Sequence, residues 1–365
     1  MAQEAPDELR GDGSTPRVGP AEQGGSQVPG RLTVIDLPED FFPVETRVVK
    51  ARDALMLAAL PALALVAWSC PDRLCLTLCR AATRLLDRMR PGRYGDFKRI
   101  FADYLPDDAQ SNKLAALAID AAALHHLERI QLLRYHRPGS WRPQIEVAGK
   151  DNLARALAEG KGAILWVTYT TFSDMISKIG LREQGYDVWH LSRHTHGHFS
   201  STRFGIRFLN PIRISLECRY LADRVVIDPA DPRAAMARLQ ELLADNQVVS
   251  ITLGAEARRV TLAPFGPEHL PLAGGAPSLA LKSGAALLPV FTERRADGSF
   301  LVTIEPPLEA PPGLGREDQV AQLIAGNSAL LYRYFARLPA QYHCGHLHST
   351  RQRYEAVTKG AQKAS

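Results

Sequence analysis

This 365-residue sequence has no run of lysines, no apolar stretch of bilayer length, no internal repeat and no even set of cysteines. Its 44 Lys and Arg against 39 Asp and Glu give a net charge of +5, spread along the chain. Without a basic block a nucleic-acid groove is not indicated, whereas a mildly basic face for phosphates or anionic lipid is. The five cysteines are Cys70, Cys75, Cys79, Cys218 and Cys344, and three of them lie inside an apolar segment. Free buried thiols in a reducing cytosol fit that set better than a disulfide framework. The run Ala54–Trp68 is uncharged and apolar over 15 residues but contains Pro61, and a helix crossing a bilayer needs ~20. The first 31 residues are rich in Gly, Pro, Ser, Gln and acids, with almost no large apolar side chains. Disorder is expected there; the basic start and apolar core of a signal peptide are lacking, so export is not.

What is present is enough for a core: 45% hydrophobic against 23% charged residues in a chain of this length supports one large α/β domain with a helical front end. The expected organisation is a disordered tail at 1–39, an apolar helical segment at 40–95, an α/β domain at 96–350 and a frayed tail at 351–365. In the front segment the apolar run is followed by the amphipathic Leu74–Leu86, with Arg73, Arg80, Arg84 and Arg88 in and around it. Three readings stand. The pair is a helical hairpin buried on the main domain, a monotopic anchor with its arginines toward anionic headgroups, or a true span.

From Asp96 to Tyr135 the pattern is helical, with a start signal at Pro106, Asp107 and Asp108. Leu114, Leu117, Ala121, Leu124 and Glu128 recur at three- to four-residue steps. His125 and His126 are adjacent, point to different faces, and read as structural or surface residues. After a break at Trp141–Pro143, strands are predicted at Ile145–Val147, Ala163–Thr168, Asp187–Ser192, Val248–Leu253, Ala286–Thr292 and Ser299–Ile304. Helices at Asn152–Ala158, Ser173–Glu183, Arg233–Asp245 and Pro277–Ser283 separate most of them. The alternation predicts an α/β fold, a mostly parallel sheet flanked by helices.

In order, the pieces EVAGKDNLARALAEGKGAILWVT, VWHLSR ending at Arg193, FLNPI, APFGPEHLPLAGGAPSLALKSGAALLPVF and DGSFLVTIEPPL resemble the lysophospholipid acyltransferase superfamily. The likeness is nearest to the late acyltransferases of lipid A synthesis and covers roughly Asp40 to Pro339. It implies a glycerolipid acyltransferase-like fold with no cofactor. The implied activity moves a fatty acyl group from acyl carrier protein or acyl-CoA to a lipid or small amphipathic acceptor. The implied location is cytoplasmic, peripheral or monotopic at an anionic inner membrane.

That family places a histidine five residues before an acid where a strand gives way to a helix. A neutral imidazole takes the acceptor's proton and the carboxylate fixes its tautomer. Asp174 matches the acid, but Tyr169 stands at the histidine position. A phenol with a reference pKa near ~10 is a poor base, and loss of a base costs on the order of 10⁴ in rate. One reading is an acyltransferase with rearranged chemistry: Tyr169, Thr170, Thr171 and Asp174 form the site, and His194, or a neighbour among His190, His196 and His198, is the base. A second is a non-catalytic relative that binds acyl chains or an acyl carrier. A third is an inert structural turn.

By the same resemblance Arg193 holds a phosphate or anionic head group, Glu256 and Arg258 stand nearest the family's acid-containing turn, and Pro264, Phe265 and Gly266 shape the acyl groove or a tight turn beside it, with packing alone as the other reading. The clusters His194, His196, His198 and His343, Cys344, His346, His348 have alternating spacing that suits two metal ligands from one extended segment, but such clusters are more often surface loops, and no metal is expected.

Overall fold

The computed structural model describes residues 32–36, 46–105, 111–137, 142–197, 199–228, 231–254, 257, 259–343, 345–347, 350–352 and 354–356. The front end folds as strand β1 (Val34–Asp36) and helices α1 (Ala51–Ser69), α2 (Asp72–Met89), α3 (Gly95–Tyr104) and α4 (Ser111–Arg134). Next come β2 (Ile145–Ala148), α5 (Lys150–Ala158), β3 (Ala163–Val167), α6 (Ser173–Glu183) and β4 (Val188–Arg193). A π-helical turn at Gly205–Leu209 runs into α7 (Asn210–Glu217), followed by β5 (Asp223–Ile227), α8 (Pro232–Ala244) and β6 (Val248–Thr252). The chain continues as β7 (Arg259–Phe265), β8 (Glu268–Ala273), α9 (Gly275–Ser283), β9 (Ala286–Arg294), β10 (Phe300–Ile304) and α10 (Arg316–Arg337), then a 3-10 turn at Pro339–Gln341.

Seven strands form one sheet in the order β2-β10-β9-β3-β6-β4-β5. The pairs from β9 across to β5 are parallel; β10 runs antiparallel to β9, and β2 runs parallel to β10. The sheet is therefore α/β and mostly parallel, as the alternation of patterns predicts. β3 sits in the middle, with Leu165 opposite Ser250 on one side and Leu288 on the other. Every residue of β3 is buried: Ile164 and Trp166 join one apolar cluster with α8 and α9, while Ala163, Leu165 and Val167 join a second with α5 and α6. Burial on both faces explains why this strand reads as a continuous apolar run. Gly162 leads into it at φ +68°, where a Cβ would lie 2.8 Å from the Gln247 carbonyl oxygen, so only glycine fits the entry.

Several elements depart from the sequence reading. Within the span expected to be disordered, Val34–Asp36 pairs antiparallel with β7, because the edge of the small sheet β1-β7-β8 offers it a backbone ladder. Within the tail expected to fray, residues 351–352 and 354–356 are helical, and Arg351 pairs with Asp103 and Glu355. Residues 1–31, 37–39, 353 and 357–365 of the two expected tails, the Pro106–Asp108 start signal and Trp141 lie outside the described residues. The helical pattern over 96–135 is two helices, α3 and α4. Helix α10, the β7–β8 hairpin and edge strand β5 add elements that the periodicity did not single out.

The front helices are not a buried hairpin. Helix α1 passes through Pro61 and buries Asp53 and Ala67 alone. Its ends are fastened: Thr202 donates to Asp53 at 2.7 Å, Trp68 Nε1 donates to the Leu133 carbonyl at 3.1 Å, and Arg134 Nε donates to the Ala67 carbonyl at 2.7 Å. Between those ends Leu55, Leu57, Leu65 and Val66 stand exposed. Helix α2 packs Cys75, Cys79 and Thr83 inward and exposes Leu74, Leu78, Leu85 and Met89. Among the described residues α1 is the one helix long and apolar enough, by length and composition, to cross a membrane. The described cysteines are free thiols, with Cys75 and Cys79 buried, Cys70 partly buried and Cys218 exposed; Cys344 lies outside the described residues.

Candidate active site

The chain leaves the sheet at the end of β3. The Thr168 N–H donates to the Val290 carbonyl at 2.8 Å, and the turn from Tyr169 to Phe172 follows. That turn is pinned from three sides. Thr170 Oγ1 donates to the Thr292 carbonyl at 3.0 Å, the Thr171 N–H donates to the Gln341 carbonyl at 2.8 Å, and Thr170 forms a bridge with Tyr342. At Phe172 the backbone is left-handed, φ +74°, an uncommon state for a bulky side chain that the surroundings must hold in place. The Phe172 N–H donates to the Glu128 carboxylate of α4 at 2.9 Å. Helix α6 then starts, with Asp174 in its first turn, where the helix dipole favours an acid.

Asp174 is buried and ion-paired to Arg213 of α7. Arg213 Nε donates to Glu217 one turn on, at 2.7 Å, and Glu217 also receives Lys178 Nζ at 2.9 Å and His196 Nε2 at 2.7 Å. Burial pulls the Arg213 pKa down, but Asp174 and Glu217 more than offset that and hold it above the ordinary arginine range. Burial would likewise raise the Glu217 carboxyl; Lys178, His196 and Arg213 instead keep it well below the usual carboxylate range. Glu128 goes the other way, raised by burial and by Asp174 against the opposing pull of Arg213. Two carboxylates thus share one guanidinium beside the turn.

Against this turn lies a cavity of about 130 Å³, room for several water-sized groups rather than one. Its lining includes the polar and ionisable His125, Glu128, Tyr169, Thr170, Asp174, Arg213 and His343, the apolar Met56, Leu60 and Leu63 of α1 with Leu132, Met175 and Ile176, and the cations Arg52 and Arg129. The Tyr169 ring lies 4.6 Å from His343 and 5.0 Å from His346, centroid to centroid, and His125 meets His343 edge-on at 4.9 Å.

Of the residues named from sequence, Tyr169, Thr170 and Asp174 come together on this cavity, and Thr171 is buried behind them. His194 sits in the turn after β4, exposed, and Arg193 is exposed at the end of β4; neither is among the residues lining the cavity. His190 is buried in β4 with Nδ1 2.8 Å from Ser250 Oγ, and burial together with Lys178 drives its pKa well below the usual imidazole range. It and His196 belong to the charge network behind Asp174. Pro264, Phe265 and Gly266 form the end of β7 and its turn. Phe265 is fully buried among Tyr104, Tyr332 and Phe335, and Gly266, at φ +60°, leaves no room for a Cβ beside Tyr332. Glu256, Arg258, His198, Cys344 and His348 lie outside the described residues. Among the described residues no group of three or more His, Cys, Asp or Glu is arranged to hold a metal ion.

Five residues at or beside the site were not placed in it by the sequence reading. His125, read as structural or surface, lies on the wall of the cavity. Glu128 follows it by three residues, a spacing visible in the sequence. Arg213 and Glu217 are likewise an i, i+4 pair in α7. His343 arrives through the 3-10 turn after α10, and no local pattern announces that approach. No protein-family model matches this chain, and no curated protein matches it. Geometry therefore carries the functional argument.

Proposed function

We propose that this protein transfers a fatty acyl group from a thioester, on acyl carrier protein or coenzyme A, to a hydroxyl or amine of a lipid or small amphipathic acceptor. The carrying observation is one cavity, at the carboxyl end of a central parallel strand, whose lining combines Met56, Leu60 and Leu63 of α1 with the ionisable side chains at the turn. An acyl chain suits the Met56, Leu60 and Leu63 wall, and the thioester carbonyl then lies toward the turn. Arg213, fixed by Asp174 and Glu217, supplies preorganised positive charge where negative charge develops on the tetrahedral intermediate. Arg52 and Arg129 at the cavity suit the phosphates of either carrier. The reaction needs no cofactor.

The exposed apolar face of α1 and α2, with Arg73, Arg84 and Arg88 exposed on α2, supports docking on the cytosolic face of an anionic inner membrane. Helix α1 would lie in that interface, offering one face to the lipid and the other to the cavity. The finer fold assignment, a glycerolipid acyltransferase-like sheet, belongs to the same proposal and is supported by the order of elements around β3.

A second reading, a non-catalytic acyl-binding protein, has one observation in its favour: the acid in the family position is committed to an arginine. One comparison separates the two. Thioester loss from lauroyl-CoA is followed for the full-length protein and Asp174→Ala. One positioned electrostatic group is worth on the order of 10² to 10³ in rate, so a fall of roughly tenfold or more is expected. Equal background rates in both sink the catalytic reading and leave the binding one.

A further inference from the structure

Helix α1 ends at Ser69 and α2 begins at Asp72, so the corner between them is Cys70 and Pro71. The Cys70 N–H donates to the Val66 carbonyl at 3.0 Å and the Leu74 N–H to the Pro71 carbonyl at 3.0 Å, which fixes both helix ends at the corner. Cys75, five residues after Cys70, donates from its Sγ to Cys70 Sγ at 3.2 Å. A disulfide bond is about 2.05 Å long, so the two sulfurs have to close by roughly 1 Å, within reach of side-chain rotation. The two thiols differ in their surroundings. Cys70 is partly exposed, whereas Cys75 is buried and receives Arg134 Nη2 on its sulfur at 3.2 Å. A cation beside a sulfur favours the thiolate, the form that attacks. Cys79, one turn further along α2, is buried as well, but burial, and after it Cys70, pushes its thiol up to about 11 and keeps it protonated.

We infer that Cys70 and Cys75 form a peroxide-oxidisable dithiol, in which Cys70 meets the oxidant and Cys75 resolves the product. The oxidant is a hydroperoxide, hydrogen peroxide being the simplest. In the first step the Cys70 thiolate attacks one peroxide oxygen. The S–O bond forms, the O–O bond breaks, and hydroxide leaves with the bonding pair and is protonated to water. In the second step the Cys75 thiolate attacks the Cys70 sulfur. The S–S bond forms, the S–O bond breaks, and a second hydroxide leaves and becomes water. The two sulfurs together give up two electrons, and the peroxide takes them. The product ties the end of α1 covalently to α2, next to the place where Arg134 holds it through the Ala67 carbonyl. Because α1 supplies Met56, Leu60 and Leu63 to the cavity, the bond fixes one end of the helix that lines it. Reduction by a dithiol restores the resting pair.

The test treats the reduced full-length protein with hydrogen peroxide, blocks the remaining thiols with iodoacetamide and maps tryptic peptides by mass. Arg73 lies between the two cysteines, so trypsin separates them unless a disulfide joins them. The wild type is expected to give the peptide ending at Arg73 joined to the one beginning at Leu74, and dithiothreitol to part them. Cys79 shares the Leu74 peptide, and Cys79→Ser is expected to keep the joined pair. Cys75→Ser is expected to lose it and to leave Cys70 as a sulfenic acid that dimedone captures. Absence of the joined pair from the wild type, at a peroxide dose that oxidises the exposed Cys218, overturns the proposal. So does a joined pair that persists in Cys75→Ser, since the bond then lies at Cys79. Neither result bears on the acyl-transfer reading.

Discussion

Glu217 has no exposed side-chain surface, and it is tolerable there because Lys178, Arg213 and His196 all reach it within 2.9 Å. His190 sits behind this group as a neutral imidazole, its pKa pushed down by burial and by Lys178, then by His196 against Glu217 and Asp174. That sets a pH dependence. A histidine whose folded pKa lies below its unfolded value of ~6.5 binds its proton first in the unfolded chain, so the stability is whole above that pH and lost as pH falls below it. His126 and His136, also lowered by burial, act in the same direction. Glu217, a depressed carboxylate, adds its loss only below ~4.3. Melting temperature should therefore fall by a few degrees between pH 7.5 and 5, where about 1 kcal/mol corresponds to roughly 2–4 °C. His190→Asn, which can keep a hydrogen bond to Ser250, should flatten that fall; an unchanged slope would remove His190 as its source. Asp174 was legible from sequence because an acid one residue into a helix after an apolar strand is a local pattern. Arg213, its partner, was not, because the 39-residue separation is closed by α7 folding back over α6.

At the scale of elements, α1 has two faces with different work. Its 19 residues span about 28 Å at ~1.5 Å each, close to the ~30 Å of a hydrocarbon core, yet both ends are fastened to the folded domain. The interfacial position proposed above is compatible with both facts, since the ends would stay with the protein while the exposed Leu55, Leu57 and Leu65 would meet the lipid. Replacing Leu57 and Leu65 by Glu should abolish most co-sedimentation with phosphatidylglycerol vesicles without lowering the melting temperature, because neither side chain is buried. Full retention on vesicles would mean that α1 is not the docking element. The strands β2, β3, β4, β6, β9 and β10 were legible to within a residue or two, since each is an apolar run between breakers. β5 was not: DRVVI is a short edge strand with charged residues at its start, and pairing to β4 rather than its own pattern makes it a strand. The β7–β8 hairpin was read through a resemblance to an acyl-groove motif; its Phe265 instead packs among Tyr104, Tyr332 and Phe335.

For the whole molecule, the sheet fixes where chemistry can occur and the helices decide what reaches it. β3 ends between β9 and β6, α6 starts there, α4 brings His125 and Glu128 from one side, α7 brings Arg213 from another, and α1 closes the apolar wall. Sequence reading singled out the turn that meets the cavity but not the rest of its lining, because His125, Glu128, Arg213 and His343 come from segments far from the turn. The most direct test of the account is the acyl-chain-length profile of thioester loss, measured on saturated acyl-CoA donors with wild type and Leu60→Trp. If the chain lies along α1, the wild type turns over long-chain donors, and the indole filling that wall lowers the rate on the longest by about tenfold, ~1.4 kcal/mol, and moves the preference to a shorter chain. An identical profile in both proteins, or no turnover of any donor by the wild type, would contradict it.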